Sequence, residues 1–523
     1  MIKRVFFSLF IFTISLIPFS FIPKISLAGA PEQEQLIRIG VIPDTEEVLI
    51  QSSSPFFIKN KETEEIIYEG NNEEITILLH STALIETNYR LQAYFKTIES
   101  FRDDWLHRAE AEGYETYVEP YNNGWRLLIG KFPADAGFGE REAFRQEVIA
   151  KGLAGNDSFW RLSTIVHGES SMKIVGKNME VISEEPVVIS SENDLITING
   201  TTYRGIAEMN FNSNGTLVAI NELPLEQYLY GVVPRGLPPV PFDQLEAQKA
   251  QDVAARTYAY ANLGKRSQDG YDLLATTAVQ VYGGYDAEHP LSTQAVNETR
   301  GIVAMYGEKL ITAVYHSTSG GYTANNEDVW NSEPVPYLRS VPVFDRSIIT
   351  VNSIIDPATS KNAPDLPGED EGYESSWSRY YRWKLQWTKE EISAVLSDYF
   401  NTDVGEVHAN HIVNRAGGGR VLEIEFITEQ GTFREYKDRI RWALQYVNEI
   451  GNFSPLLSTL FMIEPVKDEV TGEALGFVAT GGGWRHGVGM SQTGAVGMAE
   501  MGKTYDEILK HFYRGIELVN IQN

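Results

Sequence analysis

The chain contains no cysteine among its 523 residues. That excludes thiolate catalysis, disulfides and every cysteine-based zinc site, so packing alone must hold the fold. Basic charge is also scarce: 44 Lys and Arg stand against 71 Asp and Glu, a formal net charge of −27. A surface of that sign disfavours nucleic acid and an anionic membrane face, whereas neutral saccharides remain compatible. The nine histidines show no H-E-x-x-H spacing, so neither a metal centre nor a cofactor is expected. Beyond the N-terminal segment, no window approaches the ~18 consecutive apolar residues of a membrane span.

That segment reads MIKRVFFSLFIFTISLIPFSFIPKISLAGAPEQ. Lys3 and Arg4 precede an apolar run, and Ser26-Leu27-Ala28 supplies small residues at a cleavage point. Residues 1–28 are therefore expected to be a secretory signal peptide cut after Ala28. The product would be exported to the periplasm or cell wall, meeting the membrane only during export. The alternative is an uncleaved anchor.

Residues 37–88 read as a β-rich segment of short strands, LIRIGVI, EVLIQSS, EEIIYEG and EITILLH, separated by turn residues. From 89 to 164 the rhythm changes. YRLQAYF alternates, and ESFRDDWLHRAEAEGY is an amphipathic helix stopped at Gly113. ETYVEPY and GWRLLIGKF follow as strands, EREAFRQEVIAKG is a helix stopped at Gly152, and FWRLSTI is a last strand. This β-α-β-β-α-β order predicts a small α+β unit with both helices on one face of an antiparallel sheet. Strands resume at about 172, so 89–164 reads as an insertion between two parts of a β-rich region. The stretch DPATSKNAPDLPGEDEGYESS (356–376) reads as an acidic surface loop, and no tandem repeat is evident.

The inserted unit resembles a SPOR (sporulation-related repeat) domain, through its R-x-Q-A-x-F strand, the helix ending in EGY and the W-R-x-x-I-G-x-F strand. The resemblance implies binding of peptidoglycan glycan stripped of its stem peptides. It also places Gln92, Tyr94, Trp125 and Arg126 on or beside the binding sheet. Alternate strand positions must point inward, so part of this set is core on the other reading.

Farther on, LPLEQYLYGVVP, QLEAQKAQDVAARTYA, TTAVQVYGG, YHSTSGGYT, VPYLRSV and GGGWRHGVGMSQTGAVGMAEMGKTYDEILKHFY occur in order. Together they resemble the SpoIID/LytB family, over most of 172–516. The resemblance implies a peptidoglycan-interacting module, and in some members a lytic transglycosylase that cleaves MurNAc–GlcNAc bonds. Relatives carrying H-S-T-C-G-G-H have cysteine and a second histidine that resemble zinc ligands; Ser319 and Tyr322 stand at those positions.

The residues also carry readings of their own. In the helix at 243–261, Asp243 is expected to cap, with Glu246 completing a capping box. Lys249, Asp252 and Arg256 fall on one stripe, either the charged wall of a glycan cleft or a solvated face of ion pairs. Arg235, Gln280, Tyr282 and His316 are further candidates to line the cleft. His316-Ser317 lacks a G-x-S-x-G elbow, so nucleophilic serine chemistry is not expected. In the glycine-dense block, His486, Ser491 and Gln492 are the polar groups expected to face the cleft; otherwise its glycines only build a turn under a helix.

Cutting glycan without water needs an acid that protonates the glycosidic oxygen and then takes the C6 hydroxyl proton. The resemblance puts that Glu in a G-V-V-x-x-E-M-P segment, whereas this chain reads G-V-V-P-R-G-L-P, with Gly236 at the acid's position. Asp252 and Asp243 are the weak substitutes. The expected protein is α+β: a mixed β-rich SpoIID-like core with helices, plus the inserted unit. It would bind denuded glycan strands and assist an N-acetylmuramoyl-L-alanine amidase. The alternative is a lytic transglycosylase with a relocated acid.

Overall fold

Alternation in LIRIGVI and EITILLH puts Ile37, Ile39, Ile75 and Ile77 on one side of their strands, and all four are fully buried. Each such side chain contributes roughly 1.5–3 kcal/mol, which is how a fold without disulfides is held. In the computed structural model, residues 34–522 are described apart from 83, 122, 277–279, 345–371 and 375–376. The expected signal segment 1–28 lies outside the described residues.

Two antiparallel-rich sheets share that apolar core. One runs Leu273–Leu274, Leu36–Thr45, Leu217–Pro224, Ile206–Phe211, Val187–Ser191, Pro55–Asn60 and Ile66–Asn71. The other runs Met179–Ser183, Ser171–Gly176, Glu74–Ser81, Glu47–Gln51, Leu195–Ile198 and Thr201–Arg204. The N-terminal strands thus find their partners beyond the insert. Ser81 pairs with Ser171, their hydroxyl oxygens 2.6 Å apart, so the chain departs and returns between two neighbouring strands. Strand Pro55–Asn60 was not expected, because Pro55-Phe56-Phe57 hides its alternation.

Between those strands, Thr116–Tyr121, Gly124–Pro133, Leu84–Lys96 and Phe159–His167 form a four-stranded antiparallel sheet in that order. Helices Glu99–Ala111 and Phe138–Ala150 pack through Trp105, Ala109 and Val148 against Leu91, Ala93, Leu127 and Ile129. The Trp105 indole N–H donates to the Leu153 carbonyl at 2.7 Å, so the largest core side chain leaves no unpaired polar atom.

Downstream, the helix Leu245–Asn262 is the hub of the α-rich part, touching helices Leu225–Gly236, Pro290–Glu298, Gln492–Glu500 and Tyr505–Phe512. Ala247, Ala250 and Ala254 are fully buried, and their small size lets its neighbours approach. The expected capping box is absent: Gln244 is the N-cap and no side chain caps the helix. Glu246 pairs instead with Lys249 at 2.8 Å and accepts the Tyr505 N–H at 2.8 Å, so a tertiary contact outcompetes the local one.

A further lobe has its own core. Helix Lys389–Phe400 begins with a capping box made by Thr388 and Glu391. It packs beside a sheet of Trp383–Thr388, Ala474–Gly481 and Phe461–Lys467 and a second of Val407–Arg415, Val421–Thr428 and Gly431–Tyr436. The acidic stretch lies outside the described residues at 356–371 and 375–376. Its described part, Gly372–Glu374, corrects the surface-loop expectation, because Tyr373 packs in the core and Glu374 is fully buried. The class is α+β.

Candidate functional site

A cleft of about 1000 Å³ opens where the last turn of helix Leu225–Gly236 meets the lobe. Arg235, Gly236, Gln280, His316, His486 and Gln492 all line it, although they come from four separate stretches of chain. Buried Tyr228, Leu229, Val232 and Val233 anchor the helix that presents Arg235 and Gly236. Beyond it, the Leu237 carbonyl accepts Gln248 Nε2 at 2.9 Å. Gln280 is held by Tyr228, whose hydroxyl donates to Oε1 at 3.1 Å, and by donation to the Ala255 carbonyl at 3.2 Å. Gln492 Nε2 donates to the Gly236 carbonyl at 2.7 Å and to Gln251 Oε1 at 3.1 Å.

Short strands Tyr315–His316 and Met490–Ser491 run parallel and join the two glycine-bearing segments. Gly320 and Gly483 both have positive φ, +80° and +83°, and a Cβ on Gly320 would lie 2.6 Å from backbone carbon of Gly482. Only glycine permits this approach of backbone to backbone. The turn is clamped by Glu374, a residue the sequence reading missed. Its carboxylate accepts the Ser319, Gly320 and Gly321 N–H groups at 2.6, 2.8 and 3.2 Å, together with the Ser319, Ser491 and Thr493 hydroxyls. Ser491 is thus committed to Glu374 and to capping helix Gln492–Glu500, and it does not line the cleft.

Four large aromatic residues that sequence reasoning also missed complete the walls: Trp330, Trp377, Tyr380 and Trp484. The Tyr380 and Trp484 rings lie 4.3 Å apart at 35°, and Trp377 meets Phe242 at 5.5 Å. They sit in loops, where no periodicity marks them. Only the W-R-H-G run inside the glycine block could have drawn attention to Trp484.

His316 donates from Nδ1 to the Val488 carbonyl at 3.1 Å, which leaves buried Nε2 without a partner. His486 Nδ1 accepts the Val488 N–H at 3.0 Å. Burial, then nearby guanidinium groups, push His486 down to about 3; burial, then His486 and Arg420, hold His316 well below the usual histidine range. Both rings are neutral at physiological pH and can serve as hydrogen-bonding groups. No group of three His, Cys, Asp or Glu suited to a metal occurs among the described residues.

The remaining candidates lie elsewhere. Asp252 and Arg256 form neither a cleft wall nor a solvated face: both are fully buried, paired at 2.6 Å, with Arg256 also forked onto Glu226 at 2.8 and 2.7 Å. Burial pushes Asp252 up to about 6. Lys249 turns to Glu246 and Glu298, not to Asp252. Asp243 is exposed outside the cleft, with Gln244 Nε2 3.5 Å away. Tyr282 is buried against Tyr203 and Tyr228 and donates to Asn221 Oδ1 at 3.0 Å.

In the insert, Gln92 and Arg126 lie on the sheet face away from the helices, with Phe95, Tyr121 and Phe159. Arg126 stacks on Tyr121 at 3.4 Å and pairs with Glu119 at 2.9 Å. Tyr94 and Trp125 face the helices instead, Tyr94 against Phe101 and Trp125 under Arg102 at 4.4 Å. A bulge between Gln92 and Tyr94 turns the tyrosine over, and Trp125 must oppose its neighbour Arg126.

Comparison with known proteins adds an independent finding. The family described as Stage II sporulation protein matches residues 213–306, and a domain of unknown function (DUF8618) matches 324–489. An uncharacterized protein of Brachyspira hyodysenteriae is 30% identical over 65% of this chain and 78% of its own length. The amidase enhancer of Bacillus subtilis is 31% identical over 56% of this chain, which spans only 40% of that relative. Stage II sporulation protein D of Bacillus subtilis is 28% identical over 57% of this chain and 76% of its own length.

Proposed function

The chain belongs to the SpoIID/LytB family, and from that premise we propose an exported peptidoglycan-binding protein that holds denuded glycan strands in the Gly236 cleft and assists amidase-driven wall remodelling. Its role is of the cell-wall-associated SpoIID type. The observation that carries the proposal is the cleft itself. Four large aromatic faces suit sugar rings, Gln492 and the two histidines offer hydrogen bonds, and the acid's position holds a glycine. Such a site can bind and orient a strand, yet Gly236 has no proton to give the glycosidic oxygen.

One lining residue keeps a second reading alive: Glu500, exposed at the rim, is the cleft's one carboxylate among the described residues. Asp252 and Asp243 do not line it. Purified protein incubated with denuded glycan is expected to retain the strands and release no anhydro-muropeptides. Release of anhydro ends that Glu500→Gln abolishes would establish the transglycosylase reading instead.

The insert is proposed as a second, SPOR-like contact to the same strands, through its open sheet face. In the full chain, Tyr121→Ala is expected to weaken retention by roughly 0.5–1.5 kcal/mol, the range for one aromatic platform. Trp125→Ala should instead lower the melting temperature, since that indole packs under Arg102. The reverse pattern would place the contact on the helix side.

A further inference from the structure

We infer that Arg485, with the Tyr380–Trp484 ring pair, forms a subsite for a carboxylate-bearing sugar, the group a muramic acid ring presents through its lactyl ether. This rests on the glycan reading of the cleft and goes further by naming the substituent the cleft reads.

Arg485 has φ +82°, a left-handed conformation that suits glycine. Of the other seven described non-glycine residues with positive φ, five are Asn or Asp, whose side chains tolerate that region; a long side chain there costs on the order of 1–3 kcal/mol. The backbone has little freedom to relax. The Arg485 N–H donates to the Leu457 carbonyl at 2.8 Å, and Trp484 is bridged to Thr318. Strain that persists at a cleft wall, where glycine would relieve it, points to a use for the side chain.

The guanidinium supplies that use. It lies 5.1 Å over the Trp484 ring, is partly buried, and forms no ion pair with any described carboxylate. Burial and the nearby Arg441 hold its pKa below the usual value, as expected for a cation awaiting a counter-charge. Arg235, which also lines the cleft, likewise has no described acidic partner. A planar fork matches a carboxylate through two parallel hydrogen bonds, and the neighbouring ring pair offers a face to the pyranose bearing it.

The test uses the full-length protein and three ligands: denuded glycan, the same glycan with its carboxyls reduced to alcohols, and chitin oligosaccharides. Wild type should prefer denuded glycan over the reduced form by about tenfold or more, as losing a hydrogen bond to a charged group implies. Arg485→Gly should bind both as wild type binds the reduced form, and should melt higher because glycine adopts φ +82° freely. Arg485→Lys should keep part of the preference. Equal binding of all three ligands by wild type, or an unchanged preference in Arg485→Gly, overturns the subsite while leaving the glycan reading intact. Equal weakening toward denuded and reduced glycan in Arg485→Gly also overturns it. If wild type retains none of the ligands, the glycan reading itself fails.

Discussion

Gly236→Glu is expected to release anhydro-muropeptides from denuded glycan at least about 10²-fold above the background at which the parent shows none, the lower end of what a positioned general acid contributes. The backbone permits the change, because Gly236 lies outside the left-handed region and closes an α-helix. Space permits it too. A Cβ there would sit 3.2 Å from Gln251 Nε2 and 3.4 Å from Gln492 Nε2, the ends of two flexible side chains. The same amides limit the gain. Donation to the ionised carboxylate lowers its pKa, whereas an acid working near neutral pH needs burial to raise it. Analysis of muropeptides by mass, with glycan retention as the control, decides the outcome. A variant that folds and retains glycan but leaves no anhydro ends would show a cleft laid out for holding strands only.

Arg256→Met is expected to cost roughly 3–5 kcal/mol, the range for removing one partner of a buried ion pair, and a large part of a typical domain's 5–15 kcal/mol. The guanidinium stands between Asp252 and Glu226 and also donates to the Ile302 and Val296 carbonyls at 3.2 and 3.4 Å. Removing it leaves two carboxylates facing each other in the core. The deficit should depend on pH with a definite sign. Asp252 is raised by burial to about 6 when folded, so its penalty is absent below the unfolded value and grows as pH rises through the folded one. Without Arg256 the folded value rises further, and acidifying to about pH 5 should recover part of the melting temperature. Adding Glu226→Gln should recover more. A melt unchanged from wild type would show that these charges are not held as one desolvated unit.

Much of the scaffold could be read in advance because its signals are local. Period-two alternation marked Leu36–Thr45 and Glu74–Ser81, and period-3.6 spacing of Phe101, Trp105 and Ala109 marked the first helix of the insert. Failures came where a distant partner outcompeted a neighbour. Asp243 and Glu246 have capping-box spacing, yet Glu246 reaches Lys249 and the Tyr505 amide. Lys249, Asp252 and Arg256 share a stripe as expected. Whether that stripe faces water depended on helix Pro290–Glu298, whose Thr299 cap donates to Asp252 at 2.6 Å. For Tyr94 a single bulge sufficed, since one extra residue exchanges the two faces of a strand.

The same division runs through the site. By itself the sequence determined the chemical inventory: no thiol anywhere, and at residue 236 a glycine that can donate no proton whatever surrounds it. It also singled out Gln280, His316, His486 and Gln492, because they sit in dense blocks of glycine and small polar residues. Only the tertiary structure decided that these face one cleft with Trp330, Trp377, Tyr380, Trp484 and Arg485, and that Asp252, Tyr282 and Ser491 are spent elsewhere. The physical reason is distance along the chain. A residue's chemistry belongs to the residue, but its neighbours across a cleft are set by pairings such as Tyr315 with Met490, which no local pattern encodes.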